Sequence, residues 1–288
     1  MVLRRYTRPG TRPLWDHGPV AAGGFLIVNP RSGNSSPTAG ELCAAARSRG
    51  LSVHELAEGD DIEAVARSAD ASAIGMAGGD GSLGLVAGVA VERDLPFVCI
   101  PFGTRNHFAR DVGLDRDDPL AALAVFDGGV ERRVDLARAG DRPFLNNASL
   151  GLYADLVRRR EHHRRRGVAL ARLRALARSL QDRRPRRVTL DGEQVDVRVL
   201  LVGNNAYALD TFELGTRDRL DEGLLHVYLV AGLLPSGWTE LEPRAELLVE
   251  SAAAQLLLAL DGEPVELESP LRLTVEPGVL RVLVPPPG

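Results

Sequence analysis

The sequence predicts two fold classes in tandem, α/β followed by all-β: an α/β unit over residues 23–129 and an antiparallel β-sandwich over residues 130–276. Three observations predict it. Up to about residue 129, short apolar runs of strand length alternate with segments whose apolar residues recur at helical spacing, the texture of a parallel sheet covered by helices. Beyond that point apolar runs follow one another with only short turns between them. Two Asp-Gly pairs, Asp191-Gly192 and Asp261-Gly262, each separate two such runs, as tight hairpin turns do.

Residues 1–22 carry Arg, Pro and Gly without periodicity and read as a tail. Phe25-Leu26-Ile27-Val28 is the first buried strand, and a loop rich in Gly, Ser and Asn leads to a helix over 39–49. Residues 53–56 form the next strand, and Asp60 is the expected cap of a helix over 61–69. A strand over 71–74, the octet Gly75 to Ser82, and a helix carrying Leu83, Leu85, Val86 and Val89 come next, followed by a strand at Phe97-Val98-Cys99-Ile100. In the second half, strands are expected at 130–137, 144–149, 188–190, 197–202, 224–230, 254–260, 265–268, 271–275 and 280–284, with one amphipathic helix over 167–181.

Three of the strand-to-helix turns share one chemistry: 29–36, 75–82 and 101–110 all combine glycine with small polar residues. In the octet, three glycines flank Asp80; they permit left-handed backbone angles and let N–H groups approach another group without a Cβ in the way. Such a turn at a helix N-terminus suits a phosphate. A carboxylate beside a phosphate needs a divalent cation or a proton to move, or else Asp80 simply caps the helix of a tight connection. Three such loops on one edge of a parallel sheet converge where open α/β folds bind ligands. A literal GxGxxG at Gly79, Gly81 and Gly84 lacks the acidic residue that dinucleotide binding requires after the next strand, which ends in Pro101-Phe102-Gly103.

Composition narrows the chemistry. The chain has 288 residues, 44% of them hydrophobic, enough for two cores. Its net charge of −4 argues against bulk nucleic-acid binding. All 35 basic residues are Arg, which excludes a Walker lysine, a kinase strand lysine and Schiff-base catalysis. Cys43 and Cys99 have no metal-ligand spacing and read as buried free thiols of a cytoplasmic protein. Arginines are densest from Arg158 to Arg187, around the 167–181 helix; this run suits either an anionic membrane surface or a solvated helix face.

With these residues in view, the chain resembles the bacterial diacylglycerol kinase family of soluble lipid kinases, related to sphingosine kinases and NAD kinases. Asn29-Pro30-x-Ser32-Gly33, Gly78-Gly79-Asp80-Gly81-Ser82 and Gly103-Thr104-x-Asn106 with Phe108-Ala109-Arg110 match its signatures in order and spacing, from about Gly24 to the C-terminus. The resemblance implies a Rossmann-like nucleotide-binding domain, a β-sandwich bearing the acceptor cleft, and a last strand, about 277–288, that returns to the first domain. It implies ATP held by Asn29, Ser32, Gly33, Gly78, Gly79, Gly81, Ser82, Gly103, Thr104 and Asn106, and Mg²⁺ held by Asp80, Asp221, Glu222 and Glu263. It selects Leu260-Asp261-Gly262-Glu263-Pro264 as the catalytic signature, with Asp261 as general base and Glu263 and Asp80 assisting, and leaves Asp191-Gly192-Glu193 as a hairpin.

The implied reaction is phosphoryl transfer from ATP to a hydroxyl of diacylglycerol or a similar lipid, at a peripheral anionic membrane surface met by the Arg158 to Arg187 segment. A soluble acceptor such as NAD, a weakly catalytic lipid or nucleotide sensor, and a homodimer stay open. Three departures mark this chain: His107 stands where the family usually has Asp, Asp221-Glu222-Gly223 where Asp-Asp-Gly is usual, and Ala208-Leu209-Asp210 where glycines follow Tyr207.

Overall fold

The computed structural model describes residues 23–33, 36–151, 186–208, 215–230 and 238–286. The expected tail at 1–22 and helix at 167–181, with nearly all of the Arg158 to Arg187 run, lie outside them. The first half alternates as its periodicity predicts: β1 (Gly24–Val28), α1 (Ala39–Ser48), β2 (Ser52–Glu55), α2 (Ile62–Ser68), β3 (Ala73–Gly78), α3 (Asp80–Glu92) and β4 (Phe97–Pro101). Three short helices follow, α4 (His107–Asp111), α5 (Pro119–Ala122) and α6 (Val125–Gly128). The strands of the second half are β5 (Val130–Ala139), β6 (Arg142–Phe144), β7 (Asn147–Gly151), β8 (Arg186–Leu190), β9 (Glu193–Val197), β10 (Val199–Asn204), β11 (Leu225–Val230), β12 (Thr239–Glu240), β13 (Glu246–Glu250), β14 (Gln255–Leu260), β15 (Glu263–Glu268) and β16 (Leu271–Val284).

β2, β1, β3 and β4 pair in parallel in that order, and β3 and β4 are buried at every position, as strands covered on both faces must be. The sheet then continues through β16 to β13, β8 and β9, with β5 on the other side of β16. A second, antiparallel sheet runs β12-β11-β10-β7-β14-β15. Its inward residues Leu150, Val202, Val227 and Leu258 share one core with Ala137, Leu190, Leu247 and Leu273 of the first sheet.

Two expected strands, 271–275 and 280–284, are the one strand β16. Its register against β5 shifts between Glu276 and Leu280, where Pro277-Gly278 breaks the apolar pattern. The buried Asp135 holds this bulge by accepting from Gly278 N (2.8 Å) and from Gly223 N (2.6 Å). Beyond the bulge, Val282 and Leu283 pair in parallel with Phe97 and Val98 of β4.

Other expectations are corrected. Asp61, not Asp60, caps α2, accepting from Glu63 N and Ala64 N, while Asp60 pairs with His54 and Ala57 N. The strand expected at 71–74 is β3, which begins at Ala73 and runs on through Gly75 to Gly78; Gly75 is glycine there because a Cβ would stand 2.5 Å from the Phe126 ring. The single strand expected at 144–149 is two, β6 and β7, parted at Leu145-Asn146, and that over 197–202 parts at Arg198. β13 and β12 were not expected. Both Asp-Gly pairs are hairpin turns, with φ of 48° and 91° at Asp191-Gly192 and 49° and 86° at Asp261-Gly262. Among the described residues, no helix is long and apolar enough to cross a membrane.

Candidate active site

Because β1, β3 and β4 are parallel neighbours, their three glycine loops leave the sheet at one edge and touch. Asn29 N donates to Ala77 O (2.9 Å), and Asn29 Nδ2 reaches Ser82 Oγ (3.5 Å). A Cβ on Gly33 would sit 2.3 Å from the Phe102 ring, and one on Gly103 would sit 2.7 Å from Gly79 Cα. None of Gly33, Gly78, Gly79, Gly81 and Gly103 has a positive φ, so the left-handed angles that the octet's glycines permit are not used. Gly33, Gly78, Gly81 and Gly103 are needed for close approach, whereas a Cβ on Gly79 would meet nothing within 4 Å.

Asp80 is buried at the first turn of α3 but does not cap that helix. Its Oδ2 accepts from His107 N and its Oδ1 from Phe108 N, both at 3.2 Å, so it caps α4 and ties the second loop to the third. Only the backbone of residue 107 is used, which is why His in place of Asp leaves the contact intact. Burial pushes the His107 imidazole below its usual range, with Asp80 pulling the other way. Asn106, in the left-handed region at φ 49°, closes the third loop: its Oδ1 accepts from Gly103 N (2.8 Å), and its Nδ2 donates to Gly103 O and Arg116 O. The N-terminus of α3, held by no side chain, keeps its first amides available.

That helix end opens on a cleft of about 680 Å³, lined by Asn29, Arg31, Ser32, Gly81 and Ser82 from the loops and by Asp261 and Glu263 from the β14–β15 hairpin. The two sides are in contact. A Cβ on Gly81 would lie 2.2 Å from Glu263 Cγ, and one on Gly84 would lie 3.3 Å from Asp261 Oδ2. Asp261 Oδ2 accepts from Leu145 N (2.7 Å), and Oδ1 accepts from Asn146 N (2.7 Å) and Asn147 N (3.0 Å). Burial pushes this carboxyl up to about 7, the three amides pull it down, and the Asp80 charge adds to the rise. Leu85, Pro143, Leu260 and Val265 give the same cleft an apolar wall.

Thr104 lies elsewhere, in a separate hollow of about 370 Å³ with Gly103, Asn106 and Arg116. Asp221 and Glu222 also lie apart from Asp80 and Glu263. Asp221 pairs with Arg219 and Glu222 with His226, while Glu222 also accepts from Ala206 N beside the Asp135 bulge. The four acids expected on magnesium are therefore divided between two places, and among the described residues no three His, Cys, Asp or Glu side chains gather as a cation cage. A magnesium ion carried on nucleotide phosphates needs only one or two carboxylates. Glu263 on the cleft wall fits that need.

Sequence reasoning missed Arg217 and Asp111. Arg217 is 4% exposed, and its Nε binds Asp111 Oδ2 at 2.8 Å. Its position between Thr216 and Asp218 carries no periodic or motif signal.

The diacylglycerol kinase catalytic domain family matches residues 24–139. Over almost its whole length the chain is similar to two proteins named "Probable lipid kinase YegS-like". The one from Chromohalobacter salexigens is 30% identical over 291 residues, covering 91% of this chain and 93% of the relative. The one from Cronobacter sakazakii is 28% identical over 294 residues, covering 92% and 97%. A Mycobacterium tuberculosis protein named "Diacylglycerol kinase" is 34% identical over 40% of each chain. Among solved structures, a diacylglycerol kinase from Bacillus anthracis superposes with a TM-score of 0.64 at 17% identity over 92% of this chain and 97% of that one, a likeness of fold.

Proposed function

The chain belongs to the diacylglycerol kinase-like family of lipid kinases, ATP-dependent phosphotransferases with an alcohol acceptor, and from that premise we propose that it transfers the γ-phosphoryl group of ATP to a hydroxyl of diacylglycerol or a similar lipid. One observation carries the reading: the uncapped N-terminus of α3 and the Asp261 carboxyl line the same cleft from opposite sides.

The first amides of α3, the Ser82 hydroxyl and Asn29 receive the nucleotide phosphates, where the helix dipole favours negative charge. With no lysine in the chain, Arg31 and Arg142 supply the cationic part of the wall. Glu263 would hold a magnesium ion carried on the nucleotide, which would supply neutralisation of the phosphate charge. Asp261 takes the proton of the acceptor hydroxyl. A carboxyl with a pKa of about 7 is partly ionised at neutral pH and basic enough to accept that proton. The apolar wall receives the part of the lipid next to the hydroxyl, and the Arg158 to Arg187 segment draws the cleft to an anionic bilayer. Because Asp80 uses backbone amides of α4, the exchange to His107 leaves the loop junction standing, which favours an enzyme over a sensor.

The test is transfer of label from ATP into a total lipid extract. A single labelled lipid is expected, and Asp261→Ala should lower turnover at least ~10²-fold with ATP binding retained. Near-normal turnover by the variant would refute the assignment of the base.

A further inference from the structure

We propose that Arg217 is a positioning residue for the transfer step, fixing the backbone that holds Asp261 and tying it to the helix after the third glycine loop. This rests on the reading of Asp261 given above. Four of its five guanidinium N–H groups are engaged. Nε binds Asp111 Oδ2 (2.8 Å), Nη1 donates to Leu145 O (2.7 Å) and Asn204 O (2.9 Å), and Nη2 donates to Asn146 Oδ1 (2.6 Å). The Tyr207 ring lies 5.4 Å from the guanidinium carbon and covers one face.

The decisive contact is at one peptide group. Leu145 C=O and Asn146 N–H belong to the same rigid plane. Arg217 holds the oxygen of that plane at 2.7 Å, and Asp261 Oδ1 accepts from its nitrogen at 2.7 Å. Rotating the plane to loosen one bond loosens the other. On the far side, Asp111 ends α4 and shares its second oxygen with Arg110, whose own Nη2 donates to Gly215 O (3.1 Å). The start of α4 is held by Asp80. A continuous path of short polar contacts therefore runs from the second glycine loop through α4 and Arg217 to the carboxyl on the opposite wall.

A buried ion pair is weak evidence for added stability, since an apolar pair of similar volume often does as well. What the guanidinium provides is a planar fork that meets four acceptors at set angles, and an ammonium cannot reproduce it.

The test compares Arg217→Lys and Arg217→Met with wild type and with Asp261→Ala, by ATP affinity, kcat and KM for transfer into lipid extract, and thermal midpoint. Arg217→Lys keeps the buried charge that Asp111 needs and secures a folded protein should Arg217→Met fail to fold. The expected result for Arg217→Lys, assayed well below its midpoint, is ATP affinity and KM within about threefold of wild type and kcat lowered on the order of 10- to 100-fold, the effect of a misplaced catalytic group. Unchanged kcat with a lowered midpoint would make Arg217 purely structural and overturn the proposal. A parallel loss of ATP affinity and kcat would overturn it as well, placing Arg217 in nucleotide binding. Full turnover by Asp261→Ala is a different failure, that of the functional reading itself.

Discussion

The Asp261 carboxyl should make folding stability depend on pH in a way that its removal abolishes. Its pKa is 3.8 as a free side chain and about 7 in the folded protein, where burial outweighs three amide hydrogen bonds. Because the folded value is the higher one, the contribution of this group is fully present below pH 3.8 and is lost as pH rises through 7. The whole shift amounts to about 4 kcal/mol at 1.36 kcal/mol per unit, of which about 3 kcal/mol falls between pH 5 and pH 8. Asp261→Ala strands the amides of Leu145, Asn146 and Asn147, a cost of ~1–3 kcal/mol for each amide left dry, but that cost does not titrate. The variant minus wild-type difference in unfolding free energy should therefore be about 3 kcal/mol more favourable to the variant at pH 8 than at pH 5. Urea unfolding of both proteins at the two pH values measures it, and carboxylates that do not interact with Asp261 cancel in the difference. Equal pH dependence in the two proteins would mean that Asp261 titrates normally when folded, and its tuning as a base near neutrality would fall with it.

Gly81→Ala should place a methyl group 2.2 Å from Glu263 Cγ and push the hairpin away from α3; kcat should fall on the order of 10²-fold, and steady-state kinetics with a check of the thermal midpoint reads it. Asn106→Ala removes three hydrogen bonds of the third loop and leaves a non-glycine residue at φ 49°; a loss of about 2–4 kcal/mol in unfolding free energy and a raised KM for ATP are expected. Flotation with vesicles containing anionic lipid tests the arginine-rich segment: binding should weaken steeply between low and physiological salt, and binding that ignores salt would remove the electrostatic account.

The parts of the molecule that were legible in the sequence are those whose chemistry is local. A glycine pressed against a ring, another backbone or a packed side chain must be written as glycine, so Gly33, Gly103 and Gly81 announce the three loops. Asp261-Gly262 announces its turn because few other pairs accept positive φ twice in a row. Distance in sequence hides the rest. Arg217 binds partners 106 and 71 positions earlier, at Asp111 and Asn146, and nothing in its own neighbourhood anticipates them. Asp80 read either as a carboxylate for a cation or a proton or as the cap of its own helix; the helix it does cap begins 27 positions later. The break at Leu145-Asn146 was invisible for a related reason. Apolar pattern alone joins 144 to 149, and only the carboxylate arriving from position 261 shows why those amides turn out of the ladder.

The crossing of β16 from one half of the molecule to the other bears on how the protein is made. Until residues 280–284 leave the ribosome, β4 lacks the parallel neighbour that Val282 and Leu283 provide, and its edge stands bare to any other strand. The α/β half, although translated first, cannot finish assembling ahead of the rest. It should mature in one late, cooperative step, and severing the chain between the halves should leave neither able to stand alone.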